Sequence, residues 1–325
     1  MKPFHHLNVF TVEEAINILM DYQGKARIIS GGTDLLGVLK DRILPEYPEV
    51  LVNIKTISGL DDIVEDSTGL KIGSLVKLAD LINSPIIKEK FKVLAQAAQA
   101  VGTPQLRNMG TIGGNLGQDT RCWYYRYPHS IGGRISCLRK GSGPCLAVAG
   151  DNRYHAIFGG RKCFAVCPSD MAVALSVLNA GIKTIGPKGS RIIPIQDFYN
   201  PLGNALEPGE IIVEIQVPHP PANAHQQFLK YTVRQPIDFA IVSVATLVVP
   251  EEGVCSEGRI ALGAVAPGPL RASNAEEILN GKRLDAKTLE EAAEKAVKEA
   301  KPLSMNGYKV EVTRTLVARA LRLPL

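Results

Sequence analysis

The chain has 325 residues, 45% of them hydrophobic and 21% charged, and a formal net charge of +5. This is the composition of a globular protein with a real core and length for two or three domains, not of a disordered chain. Its Lys and Arg are spread without a long basic run, and no apolar stretch reaches the roughly 18 residues of a membrane span, so neither nucleic-acid binding nor membrane insertion is expected.

The start, Met1-Lys2-Pro3-Phe4-His5-His6, lacks an apolar core and a small-residue cleavage site, and no signal peptide is expected. Thr11-Val12-Glu13-Glu14 fits a capping box, and the apolar residues after it predict a helix over 11–22. Residues 26–29 predict a short strand, 50–54 another, and 62–74 a hairpin turning near Ser67-Thr68-Gly69. Helices are expected over 76–83 and 86–100, with Pro85 as the break between them. Residues 101–117 read as a loop. Residues 118–166 have no clear period, which suits an insertion held by a ligand. A helix over 170–179 and strands over 181–186 and 191–194 follow. Pro218, Pro220 and Pro221 mark a boundary. Beyond it, strands over 226–233, 240–249 and 258–265 precede helices over 273–280, 286–300 and 310–322. That order predicts a separate α+β unit.

Two glycine-rich sites and one cysteine cluster carry chemistry. The strand at 26–29 runs into Ile29-Ser30-Gly31-Gly32-Thr33-Asp34-Leu35-Leu36. Paired glycines there let backbone N–H groups approach an anion; the structural alternative is a tight turn with Thr33 or Asp34 capping the next helix. The second site is Arg107-Asn108-Met109-Gly110-Thr111-Ile112-Gly113-Gly114-Asn115-Leu116, a candidate pyrophosphate loop or an ordinary exposed one. Neither is a Rossmann fingerprint or a P-loop, so two separated sites facing one diphosphate imply a different dinucleotide fold. Cys122, Cys137, Cys145, Cys163 and Cys167 follow closely; without a secretory signal they are expected as thiols or metal ligands before disulfides.

The two glycine motifs resemble the FAD-binding signatures of the flavoprotein subunits of molybdenum hydroxylases, the family of xanthine and carbon monoxide dehydrogenases, aldehyde oxidoreductases and 4-hydroxybenzoyl-CoA reductase. The resemblance spans essentially the whole chain, including Phe228-Leu229-Lys230 and Asp238-Phe239-Ala240. It implies an α+β fold with a two-lobed FAD-binding domain of the molybdopterin dehydrogenase (PCMH) type over 1–220. The lobes fall at about 1–55 and 56–220, with the cysteine insertion at about 118–166. A C-terminal α+β domain like that of the CO dehydrogenase flavoprotein occupies 221–325. It also implies that residues 29–36 and 110–115 hold the FAD diphosphate, with further contacts from Thr103, Asp170 and Lys230. Asp170 has the alternative of capping the helix after it, and Lys230 that of a solvated strand residue.

The cysteine insertion is similar to one found in the 4-hydroxybenzoyl-CoA reductase β subunit and in bacterial aldehyde oxidoreductases, where it carries a 4Fe–4S cluster. That resemblance implies Cys122, Cys137, Cys145 and Cys163 as ligands, with Cys167 as the competitor for the fourth place. A structural zinc site is the chemical alternative, although the usual closely spaced cysteine pairs are absent. His155 is expected to pack beside the cluster, and Cys255 to be a plain thiol. On this resemblance the chain is an FAD and 4Fe–4S electron-transfer subunit. It would connect an external one-electron partner, ferredoxin or possibly NAD as carrier, to a 2Fe–2S small subunit and a molybdopterin-binding large subunit. That large subunit would act on an aromatic acyl-CoA, an aldehyde or a purine. A flavoprotein with a zinc or vestigial cysteine site and a free-standing flavin oxidoreductase are the alternatives. The expected location is cytoplasmic, with export as part of a complex as the other option.

Overall fold

Thr11 Oγ1 accepts the Glu14 N–H at 3.1 Å and the Glu14 carboxylate accepts the Phe10 N–H at 2.9 Å, so the first helix starts with one of its free donors satisfied and the chain entering it held from both sides. That helix belongs to a lobe built of β1 (His5–Asn8), α1 (Val12–Asp21), β2 (Ala26–Ile29), α2 (Leu35–Lys40) and β3 (Val50–Asn53). The strands form a parallel sheet in the order β1-β3-β2, as helical crossovers require. All four residues of β3 are buried, which is why Val50-Leu51-Val52 reads as an unbroken apolar run. The computed structural model describes residues 1–133, 135–234 and 237–322; the last three residues of the expected C-terminal unit lie outside that range.

A second lobe begins with the hairpin β4 (Ile63–Asp66) and β5 (Gly69–Gly73). The helices α3 (Leu78–Asn83), α4 (Pro85–Lys90), α5 (Lys92–Gln99), α6 (Pro104–Arg107), α7 (Ile112–Leu116) and α8 (Asp170–Val177) follow. After them come β6 (Gly181–Gly186), β7 (Gly189–Pro194), α9 (Ile195–Phe198), the small pair β8 (Tyr199–Asn200) and β9 (Gly203–Asn204), and β10 (Ile211–Pro218). The large sheet has the order β4-β5-β10-β6-β7.

Three expectations change here. The single helix over 86–100 is two, because Phe91 leaves the helical region at φ −121° and ψ 48° to seat its fully buried ring. The loop over 101–117 contains two short helices, each opened by a threonine: Thr103 Oγ1 accepts from Leu106 N, and Thr111 Oγ1 from Gly114 N. The middle strand β10 was not expected at all. Its residues Val213, Ile215 and Val217 are buried and alternate with Glu214 and Gln216, a period of two that is present in the sequence.

The final region holds β11 (His225–Tyr231), β12 (Val242–Glu251), β13 (Val254–Gly263), β14 (Leu270–Arg271), α10 (Ser273–Leu279), α11 (Ala286–Val297) and α12 (Tyr308–Ala320). Its antiparallel sheet has the order β11-β12-β13-β14. Both faces of β12 are covered. Ala245, Leu247 and Val249 join the core around α5 and α8, while Val242, Val244 and Val248 join the core of α10 to α12. A two-faced burial of this kind explains the mostly apolar stretch over 241–249, in which only Ser243 and Thr246 are polar. The strand and helix order of this region follows its predicted pattern.

Candidate functional site

The two glycine motifs meet. Ser30 Oγ and Thr111 Oγ1 lie 3.1 Å apart, and Thr111 Oγ1 also accepts the Gly114 N–H at 3.1 Å. Gly31 is packed so closely on the second motif that a Cβ there would stand 2.0 Å from the Met109 carbonyl oxygen. Its glycine is therefore needed for loop-on-loop contact as well as for access. Together they open on a cleft of about 1010 Å³ between the two lobes. That volume is at the upper end for small-molecule sites and suits a dinucleotide.

Ile29, Ser30, Gly31, Gly32, Thr33, Asp34 and Leu35 line this cleft, as do Thr111, Gly113 and Gly114. The two motifs contribute differently. Among the described residues, no protein acceptor is hydrogen-bonded to the N–H groups of Gly31, Gly32, Thr33 or Asp34. Four free donors at a strand end make an anion cradle. In the second motif the donors are taken: Gly110 N bonds Leu106 O, Ile112 N bonds Val76 O, Gly113 N bonds Ser74 O and Asn115 N bonds Thr111 O. That motif supplies shape and the Thr111 hydroxyl, and its N–H groups are spent on folding the loop.

The remaining expected contacts lie elsewhere. Leu36 is outside the lining and largely exposed. Gly110, Ile112 and Asn115 sit behind the loop, and the Asn115 side-chain oxygen accepts from Ser169 Oγ at 2.6 Å. Thr103 caps α6. Asp170 and Lys230 form a buried ion pair at 2.7 Å with Lys230 also donating to Ala100 O, so Lys230 is no solvated strand residue. Ser169, not Asp170, caps α8, its Oγ accepting the Ala172 N–H at 3.0 Å.

Asp34 does not cap α2 with its side chain. Its carboxylate instead pairs with Arg126 at 2.7 Å and Arg121 at 3.0 Å and accepts the Asp119 N–H at 2.8 Å. The first glycine motif is thereby tied to the cysteine segment. These partners were missed from sequence. The signal was there in composition: residues 118–166 are rich in arginine and contain only Asp119 and Asp151 as acids.

Among its described residues, the cysteine segment is irregular beyond the two 3-10 turns His129–Ile131 and Leu138–Lys140, as its lack of period predicts. Cys122, Cys137, Cys145 and Cys163 all line one small cavity of about 20 Å³, while Cys167 lines the large cleft. Cys145 and Cys163 share a hydrogen bond that pushes the Cys163 thiol down toward thiolate and the Cys145 thiol up; the Arg139 guanidinium also lowers Cys163. Burial raises Cys122, and His155 Nε2 lies 3.2 Å from its Sγ. Burial, with Lys309 nearby, holds the His155 imidazole down to about 4, so at neutral pH it is uncharged. Cys167 is pushed up to about 12 by burial. Cys255 is buried in the C-terminal core, away from these thiols.

Among the described residues, no three His, Cys, Asp or Glu side chains are arranged to hold one metal ion. Zinc on four thiolates draws the sulfurs to about 3.8 Å from one another.

Comparison with known proteins agrees with this geometry. Residues 2–220 match the FAD binding domain in molybdopterin dehydrogenase, and residues 227–323 match the CO dehydrogenase flavoprotein C-terminal domain. The chain is 39% identical over 291 residues to an aldehyde oxidoreductase FAD-binding subunit of Escherichia coli, covering 86% of this chain and 87% of that one. It is 29% identical to a nicotinate dehydrogenase FAD-subunit of Eubacterium barkeri, covering 89% and 84%. Its fold superposes on a carbon monoxide dehydrogenase structure from Hydrogenophaga pseudoflava with a TM-score of 0.79 at 28% identity, covering 99% and 97%.

Proposed function

Because the chain belongs to the FAD-binding subunits of the molybdenum hydroxylase family, we propose that it serves such a complex as a subunit with two redox centres. FAD occupies the cleft between the glycine motifs, and a 4Fe–4S cluster sits on Cys122, Cys137, Cys145 and Cys163. The observation that carries the second half is the convergence of those four thiols on one cavity that Cys167 does not reach.

FAD supplies a junction that takes electrons in pairs and gives them singly. The chain does the rest. The free N–H groups of Gly31 to Asp34 hold the diphosphate. Arg121 and Arg126 neutralise Asp34, so a carboxylate beside that cradle does not repel phosphate. Burial of Cys137 and Cys163 keeps water from the cysteine site. His155 is placed to donate to the Cys122 sulfur, an interaction of the kind that sets cluster potentials.

Relatives are named as FAD-binding subunits or medium chains of larger enzymes, which supports a molybdopterin-binding large subunit and a 2Fe–2S small subunit as partners. An external one-electron carrier of the ferredoxin type, with NAD as the alternative, completes the route. The relative at 39% identity belongs to an aldehyde oxidoreductase, and this favours an aldehyde among the three expected substrate classes. Among the described residues no helix is long and apolar enough to cross a membrane, and a cytoplasmic complex is the working assignment.

The test is iron content in two variants. Cys163→Ser should lose most of the iron with flavin retained, and Cys167→Ser should keep both. The reverse result would move the fourth ligand to Cys167; no iron in either variant or in the native protein would remove the cluster from the assignment.

A further inference from the structure

Among the described residues, Tyr125 and Arg139 are the side chains that line both the large cleft and the small four-cysteine cavity. They form the wall between the two. The Arg139 guanidinium lies 5.7 Å from the centre of the Tyr125 ring, and the Tyr125 hydroxyl donates to Asp119, which Arg139 also meets at 3.4 Å. Arg139 donates further to the Pro201 carbonyl at 3.1 Å, on the cleft side. Its side chain is 13% exposed, and its Nε is buried without a protein partner. It lines the small cavity together with Cys163 on one side and the cleft together with Cys167 on the other.

We propose that Arg139 is a positioning residue shared by both cofactor sites, a fixed cation in the wall that favours the more negative, reduced state of the group on the cysteines. The inference rests on the two-cofactor reading above and adds a coupling between the centres. The physical reason is the low dielectric of the wall. A guanidinium fixed there is screened little by solvent, so it stabilises added negative charge on whichever side gains it. Tyr125 holds it in place. Its hydroxyl donates to Asp119, the carboxylate that Arg139 also meets.

The experiment is an electron paramagnetic resonance redox titration of the cluster in the purified native protein, with flavin and iron counted in every sample. Arg139→Gln should shift the cluster midpoint to lower potential at native iron content. Arg139→Lys should restore most of the shift, because the charge returns. Equal midpoints in native protein, Arg139→Gln and Arg139→Lys would overturn the inference and leave the function standing. Native protein without iron would overturn the two-cofactor reading and the inference with it. Should Arg139→Gln fail to fold, Arg139→Lys and Tyr125→Phe decide the matter. A small downward shift in both supports the proposal, and no shift in either sinks it.

Discussion

The carboxylate of Asp34, in the first glycine motif, is held 2.7 Å from the guanidinium of Arg126, in the cysteine segment. With Arg121 and the Asp119 N–H, this contact joins the loop proposed to cradle the flavin diphosphate to the segment that carries the thiols. Both side chains are about 15% exposed, at 15% and 14%. Removing one partner of such a pair leaves the other charged and buried, which costs about 3 to 5 kcal/mol. Asp34→Ala is therefore expected to lower the melting temperature markedly and to reduce flavin and iron together. A variant with native stability that lost flavin alone would show that Asp34 acts on the cofactor directly and not through the arginines.

The glycines of the two motifs should differ in severity. At Gly31 a Cβ would strike the Met109 carbonyl at 2.0 Å, a backbone atom that cannot swing aside. At Gly114 it would meet the Thr111 and Ser30 hydroxyls at 3.0 and 3.1 Å, which can rotate. Gly31→Ala is expected to leave little flavin bound and Gly114→Ala to keep much of it. Flavin absorbance per chain measures both; equal loss would mean that approach of the ligand, not loop packing, sets the requirement.

Lys309 has no exposed surface, and its ammonium donates to the His155 carbonyl at 3.0 Å and the Ala264 carbonyl at 2.5 Å. Burial lowers its pKa from 10.5 to about 7. A buried lysine of this kind penalises the folded state fully below pH 7. The penalty is relieved as pH rises from about 7 toward the unfolded value, because there the unfolded chain keeps a proton that the folded one has lost. The relief over that whole window is on the order of 5 kcal/mol. Lys309→Met removes it, so the variant should gain most on the native protein at pH 6 and keep only about half of that advantage at pH 9. Melting temperatures of both proteins across that range give the comparison. Parallel curves would mean that Lys309 remains charged throughout, with a countercharge nearby.

Much of this was legible before any coordinates. The capping box at Thr11, the apolar run of β3, the hairpin after Asp62 and the strand and helix order after the prolines follow from local pattern, which is where sequence reasoning is strong. Three things were not legible for identifiable reasons. The break at Phe91 comes from tertiary packing of a ring, which no helical period announces. The strand β10 pairs β5 from far along the chain, and its alternation was overlooked beside the proline boundary. The division of labour between the glycine motifs depends on which N–H groups the protein itself consumes, a matter of long-range bonds such as Gly113 N to Ser74 O. The four thiols were named from resemblance. What sequence did not offer was the arginine and tyrosine wall beside them, since Tyr125 and Arg139 meet only when the irregular segment folds.

The most direct test of the central claim is an anaerobic absorption spectrum of the purified native protein with flavin, iron and zinc counted per chain. The account predicts one FAD and about four irons, with the broad absorbance of a cluster beneath the flavin bands and no stoichiometric zinc. FAD with zinc, or with no metal, would contradict the cluster on Cys122, Cys137, Cys145 and Cys163.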